Sequence, residues 1–403
     1  MNVAILGYGV VGSGVAKVLK ENSKTIEEKT GHEFKVTRIL DIRDFPLSEY
    51  RTIITKNFED IANDKDIDIV VETMGGVEPA FGFVTTCLEK GKHVVTSNKE
   101  LVAKHGTELL KIAKENNINY MFEASVGGGI PIIRPMYSCL TAGEITKIAG
   151  ILNGTTNYIL TSMINDGVEF EDALKDAQAK GYAEKDPTAD IEGHDACRKI
   201  AILASLAYGK SVDSEKIPAE GITKITLTDV EYASKLGCSI KLIGSCQKAE
   251  NGVYARVCPM MIPEENPLAC INDVFNGILV TGEELGDVMF YGKGAGKLPT
   301  ASAVVADVID IAKHKNKNVI IRWEQGPDDY LLSPENQKYS YYLRVKSADI
   351  SKFADFKTIT LEKSGFENEF ALITPLFDES ELNEFLNSEK FAKAEILGKI
   401  RFI

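Results

Sequence analysis

Short apolar runs alternate with amphipathic segments over the first 125 residues of the chain. The apolar runs predict strands at Val3–Leu6, Val36–Leu40, Ile67–Val71, His93–Thr96 and Tyr120–Phe122. The segments between them predict helices, among them Val11–Glu21, Ala80–Lys90 and Lys99–Asn116. This alternation predicts an α/β fold with a Rossmann-type, doubly wound parallel sheet. Ligands of such sheets bind beyond the C-terminal ends of the strands, here 72–76, 96–99 and 123–129.

The regular alternation ends at about residue 130, and strand and helix patterns then mix. Strands are predicted at Ile145–Leu152 and Val253–Met261. Helices are predicted at Asn157–Asn165, Phe170–Lys180, Asp195–Tyr208 and Thr228–Leu236. This order predicts an α+β domain. A further amphipathic helix that starts at Thr300 could return to cover the first domain.

The last part of the chain begins with a Pro/Asp/Asn-rich linker, GPDDYLLSPENQ from Gly326. The runs YSYYLRV, KTITLEK and FALITPL and the helical run ESELNEFLN then predict a small α+β module. The predicted division is a dinucleotide-binding domain at 1–130 with a returning helix at about 300–325, a substrate domain at 131–299, a linker at 326–338 and the module at 339–403.

Composition narrows the class of protein. A formal net charge of −13 argues against general binding to nucleic acid or acidic membranes. No apolar stretch approaches the ~20 residues that a membrane-spanning helix needs. The seven cysteines form no C-x-x-C pair, which favours reduced thiols over disulfides or a zinc site. We therefore expect a cytoplasmic protein with small-molecule partners.

The sequence G-Y-G-V-V-G at Gly7, Gly9 and Gly12 follows the strand VAIL and opens a helix. A glycine turn without a cofactor is the simpler interpretation, but this context favours a dinucleotide pyrophosphate at the helix N-terminus, with Val10 and Val11 in its first turn. Asp41 ends the second strand, where an acid favours NAD. Arg43 could hold the 2′-phosphate of NADP, so the cofactor stays open.

Ionisable groups are concentrated in the run AQAKGYAEKDPTADIEGHDACRK, from Ala177 to Lys199. Asp195 and Lys199 are four residues apart and share a helix face. On spacing alone they predict a surface ion pair, which contributes ~0.3–0.5 kcal/mol. The acidic loop before them instead favours a site for a small zwitterionic substrate.

Several segments together resemble the homoserine dehydrogenase family over residues 1 to about 325. They are the glycine turn, TSNKELVAKHG, FEASVGGGIPI, GILNGTTNYIL, the Ala177–Lys199 run and YGKGAGKLPTASAVVADV. The resemblance implies NAD(P)-dependent interconversion of L-homoserine and L-aspartate 4-semialdehyde in threonine, methionine and isoleucine biosynthesis. It implies that Lys199 exchanges the proton at the substrate oxygen, that Asp195 orients Lys199, and that Glu184 and Asp190 bind the substrate ammonium.

The same resemblance implies further site residues. Lys99 faces both cofactor and substrate, and the division of proton transfer between Lys99 and Lys199 stays open. Ser97 and Gly294 contact the cofactor. A monovalent cation such as sodium is implied at Glu123, Val126, Gly128 and Ile130, where the alternative is a glycine-rich structural turn.

The resemblance also bears on assembly and regulation. It implies a homodimer or higher homo-oligomer through the middle domain, a monofunctional enzyme, and a shortened or diverged ACT-like module at 339–403. Regulation by threonine stays an open hypothesis. Two alternatives remain: another semialdehyde oxidoreductase, which needs a nucleophilic cysteine such as Cys139 or Cys197, and a non-catalytic nucleotide sensor.

Overall fold

The computed structural model describes residues 1–315, 317–361, 366 and 368–403. The strands are β1 (Asn2–Leu6), β2 (Lys35–Leu40), β3 (Ile54–Thr55), β4 (Ile69–Glu72), β5 (His93–Thr96), β6 (Tyr120–Met121), β7 (Ile145–Ile151), β8 (Cys238–Ala249), β9 (Gly252–Pro263), β10 (Phe275–Gly282), β11 (Gly286–Lys293), β12 (Tyr341–Lys346), β13 (Lys357–Thr360), β14 (Glu369–Ile373) and β15 (Glu395–Phe402). The helices are α1 (Val10–Glu21), α2 (Ser23–Thr30), α3 (Glu59–Ala62), α4 (Ala80–Glu89), α5 (Lys99–Glu115), α6 (Ile133–Ser138), α7 (Gly154–Asp166), α8 (Phe170–Ala179), α9 (Thr188–Ile191), α10 (His194–Tyr208), α11 (Leu227–Lys235), α12 (Lys297–Lys313) and α13 (Glu379–Leu386).

The chain forms two compact units, each assembled from three segments. The first unit contains 1–146, 198–215 and 281–328, and the second contains 147–197, 216–280 and 329–403. The boundary at residue 198 falls inside helix α10. The domain limits expected from the sequence concern functional regions, and they stay a prediction.

A parallel sheet organises the first unit, with the strand order β3-β2-β1-β4-β5-β6. All five neighbouring pairs are parallel. This is the strand order of dinucleotide-binding Rossmann folds, in which the chain reverses direction across the sheet beside β1. The predicted fold class is therefore confirmed.

The core of the first unit joins the sheet to helices α1 and α12. Val15 and Leu19 of α1 pack with Val304 and Val308 of α12 and with the buried strands. A Cβ on Gly14 would lie 3.0 Å from the Ala301 Cβ, so glycine lets these helices approach closely. The returning helix ends at Lys313, well before the expected limit of about 325, and it belongs to this unit.

The second unit contains a mixed sheet in which the strands follow the order β10-β7-β8-β9-β15-β12-β14-β13. Strands β8 and β9 form a long antiparallel hairpin that ends with Ala249 paired to Gly252. Ile243, Cys258 and Met260 contribute to the core against one face of this hairpin.

The C-terminal module continues that sheet. Its strands lie in the order β15-β12-β14-β13, the split βαβ arrangement of ferredoxin-like folds. A short 3-10 turn at Ile350–Phe353 follows β12, and α13 precedes β15. The predicted strand KTITLEK is observed at Lys357–Thr360, and its positions 362 and 363 lie outside the described residues.

In the described part of the chain, no helix combines the length and apolar character that crossing a membrane requires.

Candidate active site

The glycine turn between β1 and α1 leaves the N-terminus of α1 accessible. Gly7 has a φ of 90°, a left-handed value that favours glycine. A Cβ on Gly12 would lie 1.9 Å from the Gly7 carbonyl oxygen, so only glycine fits there. Among the described residues, no side chain caps α1, and Val10 is 66% exposed. The N–H groups of its first turn, which includes Val11, are therefore accessible to a phosphate.

Asp41 and Arg43 form a closed pair after β2. Asp41 Oδ1 accepts hydrogen bonds from the backbone N–H (3.0 Å) and Nε (2.9 Å) of Arg43. Asp41 Oδ2 accepts from Arg43 Nη2 (2.8 Å) and from the Tyr8 backbone N–H (2.7 Å). The Arg43 guanidinium lowers the pKa of Asp41 to about 2. Four donors thus occupy the lone-pair sites of this carboxylate, while the Arg43 side chain stays 58% exposed.

A pocket of about 290 Å³ lies in the first unit, at the C-terminal ends of the parallel strands. Its lining includes six residues that were expected in the site: Ser97, Lys99, Val126, Gly128, Lys199 and Gly294. The pocket therefore brings the two lysines expected to handle the proton together with Ser97 and Gly294, which were expected to contact the cofactor.

Local structure explains how these residues reach the pocket. Asn98 caps α5 by accepting a hydrogen bond from the Leu101 N–H (3.1 Å), which fixes Lys99 as the first residue of the helix. Lys199 extends from the second turn of α10 and is 8% exposed. Gly128 has a φ of 56°, and a Cβ there would lie 2.2 Å from the Gly294 carbonyl oxygen, so these loops require glycine to pack.

Glu123 anchors the segment after this loop. Its Oε1 accepts from the N–H groups of Ile132 (2.7 Å) and Ile133 (2.8 Å), and its Oε2 accepts from the Arg134 N–H (2.7 Å). A carboxylate has about four lone-pair sites, so roughly one remains for another ligand. Over 1–315, 317–361, 366 and 368–403, no group of three His, Cys, Asp or Glu residues is arranged to hold a metal. A cation at Glu123 would therefore depend on backbone carbonyls, as at Val126, Gly128 and Ile130.

Asn153 connects two of the predicted acids in the second unit. Its Nδ2 donates to Asp190 Oδ1 (2.7 Å) and to Asp195 Oδ2 (2.9 Å). Glu184 is exposed in the turn before α9, and the contacts described for the chain do not join it to this pair. Asp186 accepts two hydrogen bonds from Thr188, which stabilise the start of α9.

Comparisons with known proteins agree along the chain. Residues 7–123 match the model of the homoserine dehydrogenase NAD-binding domain, and residues 131–309 match the homoserine dehydrogenase model. A homoserine dehydrogenase of Bacillus subtilis is 38% identical over 393 residues, which cover 96% of this chain and 90% of that protein. The chain belongs to the homoserine dehydrogenase family. A Neisseria gonorrhoeae member is 42% identical, with 87% and 82% covered.

Solved structures of homoserine dehydrogenases have the same fold. The Thiobacillus denitrificans structure matches with a TM-score of 0.90 and 37% identity, over all of this chain and 98% of that one. A hyperthermophilic archaeal homoserine dehydrogenase in complex with NADPH matches with a TM-score of 0.68 and 29% identity, over 79% and 99%. The chain is thus an NAD(P)-dependent oxidoreductase with homoserine dehydrogenase function, and not the nucleotide sensor or the other semialdehyde oxidoreductase.

Two residues near the homoserine dehydrogenase site were given no role in it from the sequence, although one of them, Glu72, begins the strand end 72–76 that was expected to face a ligand. Asn153 lies in the segment GILNGTTNYIL and was given no catalytic role of its own, although asparagine, unlike serine or threonine, has two N–H donors besides its capping oxygen. Glu72 ends the apolar strand β4 and is fully buried. It accepts hydrogen bonds from Thr96 Oγ1 (2.6 Å) and the Met74 N–H (2.7 Å), which joins the end of β5 to the loop after β4. An acid at the end of an apolar strand was the available signal.

Proposed function

We propose that this chain interconverts L-homoserine and L-aspartate 4-semialdehyde in the biosynthesis of threonine, methionine and isoleucine. The oxidation removes a hydride from the carbinol carbon and a proton from its hydroxyl, and bound NAD(P) supplies the hydride acceptor. The presence of Lys99 and Lys199 in one pocket with Ser97 and Gly294 is the main support. Purified protein should reduce NAD(P) with L-homoserine and show no comparable rate with L-serine. No turnover with L-homoserine in either direction would contradict the proposal.

The proposed proton chemistry depends on the two lysines. Lys199 is proposed to accept the hydroxyl proton during oxidation and to return it during reduction, because it lines the same pocket as Ser97 and Gly294. Two roles are open for Lys99: it holds the reacting oxygen, or it shares in the proton transfer. Asp195, one turn before Lys199 on α10, orients it. Variants of each lysine separate these roles, since only the proton carrier should affect the solvent isotope effect.

The proposed substrate anchors are Glu184 and Asp190. Both are carboxylates in the turn and short helix that precede α10, and charge-assisted hydrogen bonds from an α-ammonium suit them. Their replacement by amides should raise the KM for L-homoserine and leave the KM for the cofactor unchanged. An unchanged KM for L-homoserine in both variants would remove this role.

NADP is the proposed preferred cofactor. An NAD-type ribose contact needs an acid with a free acceptor site, and the four donors to Asp41 leave none open. Arg43 retains N–H groups beyond the two that bind Asp41, and its exposed guanidinium suits a 2′-phosphate. A Cβ on Gly9 would be 3.8 Å from Arg43 Nη2, so this guanidinium lies beside the glycine turn.

A sodium ion is proposed as a structural ligand. The remaining lone-pair site on Glu123, with the carbonyls of Val126, Gly128 and Ile130, offers the oxygen ligands that a hard cation takes. The Arg134 guanidinium, by contrast, forms an ion pair with the buried Asp307 beside Glu123. A higher melting temperature in sodium than in choline chloride at equal ionic strength supports the ion. Equal melting temperatures in the two salts contradict it.

The module at 339–403 is proposed to be ACT-like, since its β15-β12-β14-β13 order fits that type of α+β module. A homodimer or higher homo-oligomer and a cytoplasmic location are proposed from the family resemblance. Activity that falls during a threonine titration would assign regulation to the module, and unchanged activity would remove that hypothesis. Sedimentation velocity tests the oligomer.

A further inference from the structure

We propose that Asn153 is a positioning residue that sets the arrangement of Asp190 and Asp195 for the substrate. This inference depends on the proposed roles of those two acids. Asn153 Nδ2 donates to both carboxylates, at 2.7 Å and 2.9 Å. Asn153 is 6% exposed and Asp195 is 3% exposed, so water competes little for these hydrogen bonds.

The orientation of the Asn153 amide is fixed by a second role. Asn153 is the N-cap of α7, and its Oδ1 accepts from the Thr156 N–H (2.9 Å) and from Thr156 Oγ1 (3.2 Å). Rotation of the amide by 180° would place its oxygen against two carboxylates and its NH₂ against the N–H of the helix. Both N–H groups of the amide must therefore point to the acids.

The backbone around Asn153 is held in place as well. A Cβ on Gly154 would lie 2.8 Å from the Val274 carbonyl oxygen, so the start of α7 packs closely against that loop. Thr155 Oγ1 donates to the Tyr182 carbonyl oxygen (2.7 Å) in the turn that precedes the acids. The donor group is thus fixed relative to the segment that it positions.

The two acids need such a bridge because they lie on different helices. Asp190 belongs to α9 and Asp195 to α10, and Gly193, with a φ of 86°, separates the two helices. Two carboxylates near each other repel, whereas a shared NH₂ donor attracts both. Loss of the donor should let them separate, so that one binds the ammonium less well and the other no longer orients Lys199.

Asn153→Ser tests this inference, because serine keeps the helix cap and removes both N–H donors. We expect kcat/KM for L-homoserine to fall about 100-fold, shared between a higher KM and a lower kcat. The KM for the cofactor should stay within about two-fold. The isotope effect on kcat with substrate deuterated at the carbinol carbon should rise, because hydride transfer becomes slower than product release.

Asn157→Ser is the matched control on the same helix. Asn157 is 1% exposed, and its Nδ2 donates to the carbonyl oxygens of Ile271 (3.1 Å) and Phe275 (3.0 Å), away from the acids. The Asn157→Ser substitution should lower the melting temperature and leave the isotope effect on kcat unchanged. Wild-type kinetics in Asn153→Ser, or a loss of kcat alone with no change in the isotope effect, would overturn the inference. If Asn153→Ser does not fold, Asn153→Thr also keeps the helix cap and removes the amide donors, and the same loss is expected.

Asp190→Asn and Asp195→Asn separate this inference from the proposed function. Wild-type kinetics in both would show that the acids were assigned wrongly. A loss of activity in both, with Asn153→Ser unaffected, would overturn the positioning role alone.

Discussion

At the scale of single residues, the site depends on how many donors each carboxylate already has. Asp41 accepts four hydrogen bonds and Glu123 accepts three, although both follow strands of the same sheet. The sequence locates these acids at strand ends. It does not show that Arg43 donates hydrogen bonds to the Asp41 carboxylate, because those bonds depend on the conformation of the chain after β2. The number of donors therefore distinguishes the two acids. Asp41 has no open acceptor site, so the proposed phosphate contact falls to Arg43, whereas Glu123 keeps a site for the proposed cation.

Replacement of Arg43 tests cofactor choice. In Arg43→Ala, the KM for NADPH should rise about 10- to 100-fold, the loss typical of a charge-assisted phosphate contact. The KM for NADH should change little or fall, because Asp41 gains free acceptor sites. Arg38→Ala is the control, since Arg38 Nη1 donates to the Thr37 carbonyl oxygen within β2. A parallel rise in both KM values in Arg43→Ala would contradict the proposed preference.

At the scale of elements, the glycine turn could be predicted from the sequence and strand β8 could not. The G-x-G-x-x-G spacing identifies the turn from the sequence, since a strand precedes it and a helix follows. Strand β8 was not predicted, because it carries the buried Lys241 in a run that also contains polar residues. Lys241 Nζ donates to the carbonyl oxygen of Ile271 (2.6 Å) and to Asn272 Oδ1 (3.0 Å). Tertiary contacts therefore override the local pattern here.

Alanine should have opposite effects on the free energy of unfolding at two helical glycines, Gly12 and Gly82. Gly12→Ala should abolish cofactor binding and lower stability, because its Cβ would lie 1.9 Å from the Gly7 carbonyl oxygen. In Gly82→Ala, no described residue outside the adjoining backbone of α4 lies within 4 Å of the new Cβ, so this variant should raise the free energy of unfolding by about 0.5–1 kcal/mol. Urea denaturation and NADPH titration measure both. Full NADPH binding by Gly12→Ala would contradict the account of the turn.

Burial of Lys241 predicts a pH dependence of stability. Burial lowers the pKa of Lys241 from 10.5 to about 8. Between these values the unfolded state binds the extra proton, so this residue adds stability as the pH rises. The free energy of unfolding of the wild type minus that of Lys241→Met should increase by about 2 kcal/mol between about pH 7.5 and 9.5.

Urea titrations at each pH measure this difference, and comparison with a variant cancels the titration of tyrosines and thiols. The exposed Lys235→Met, in α11, is the control and should show no such increase. A constant difference for Lys241→Met would show that the lysine stays charged in the folded protein.

At the scale of the whole molecule, the sequence predicts the parallel sheet of the first unit and most helices of the second unit, among them α8 and α11. It does not predict all strands of the second unit, since β8, β10 and β15 were missed. Short apolar strands buried on both faces define the parallel sheet, and β5 was predicted to the residue. Strand β15 was missed because Gly398 and the buried Arg401 interrupt its apolar pattern. Arg401 is compensated by Glu220 (2.6 Å) and Glu379 (3.3 Å), which are distant in the sequence. The site was predicted where motifs carry it, whereas the bridge from Asn153 depends on the packing of three helices.

The rate of the Lys199→Ala variant tests the central claim most directly. The account predicts that kcat for L-homoserine oxidation falls about 10²- to 10⁴-fold, while the Kd for NADPH stays within about two-fold of the wild type. Lys185→Ala, an exposed lysine in the turn before α9, should keep wild-type rates. A Lys199→Ala variant with wild-type kcat would contradict the assignment of Lys199 as the residue that moves the proton.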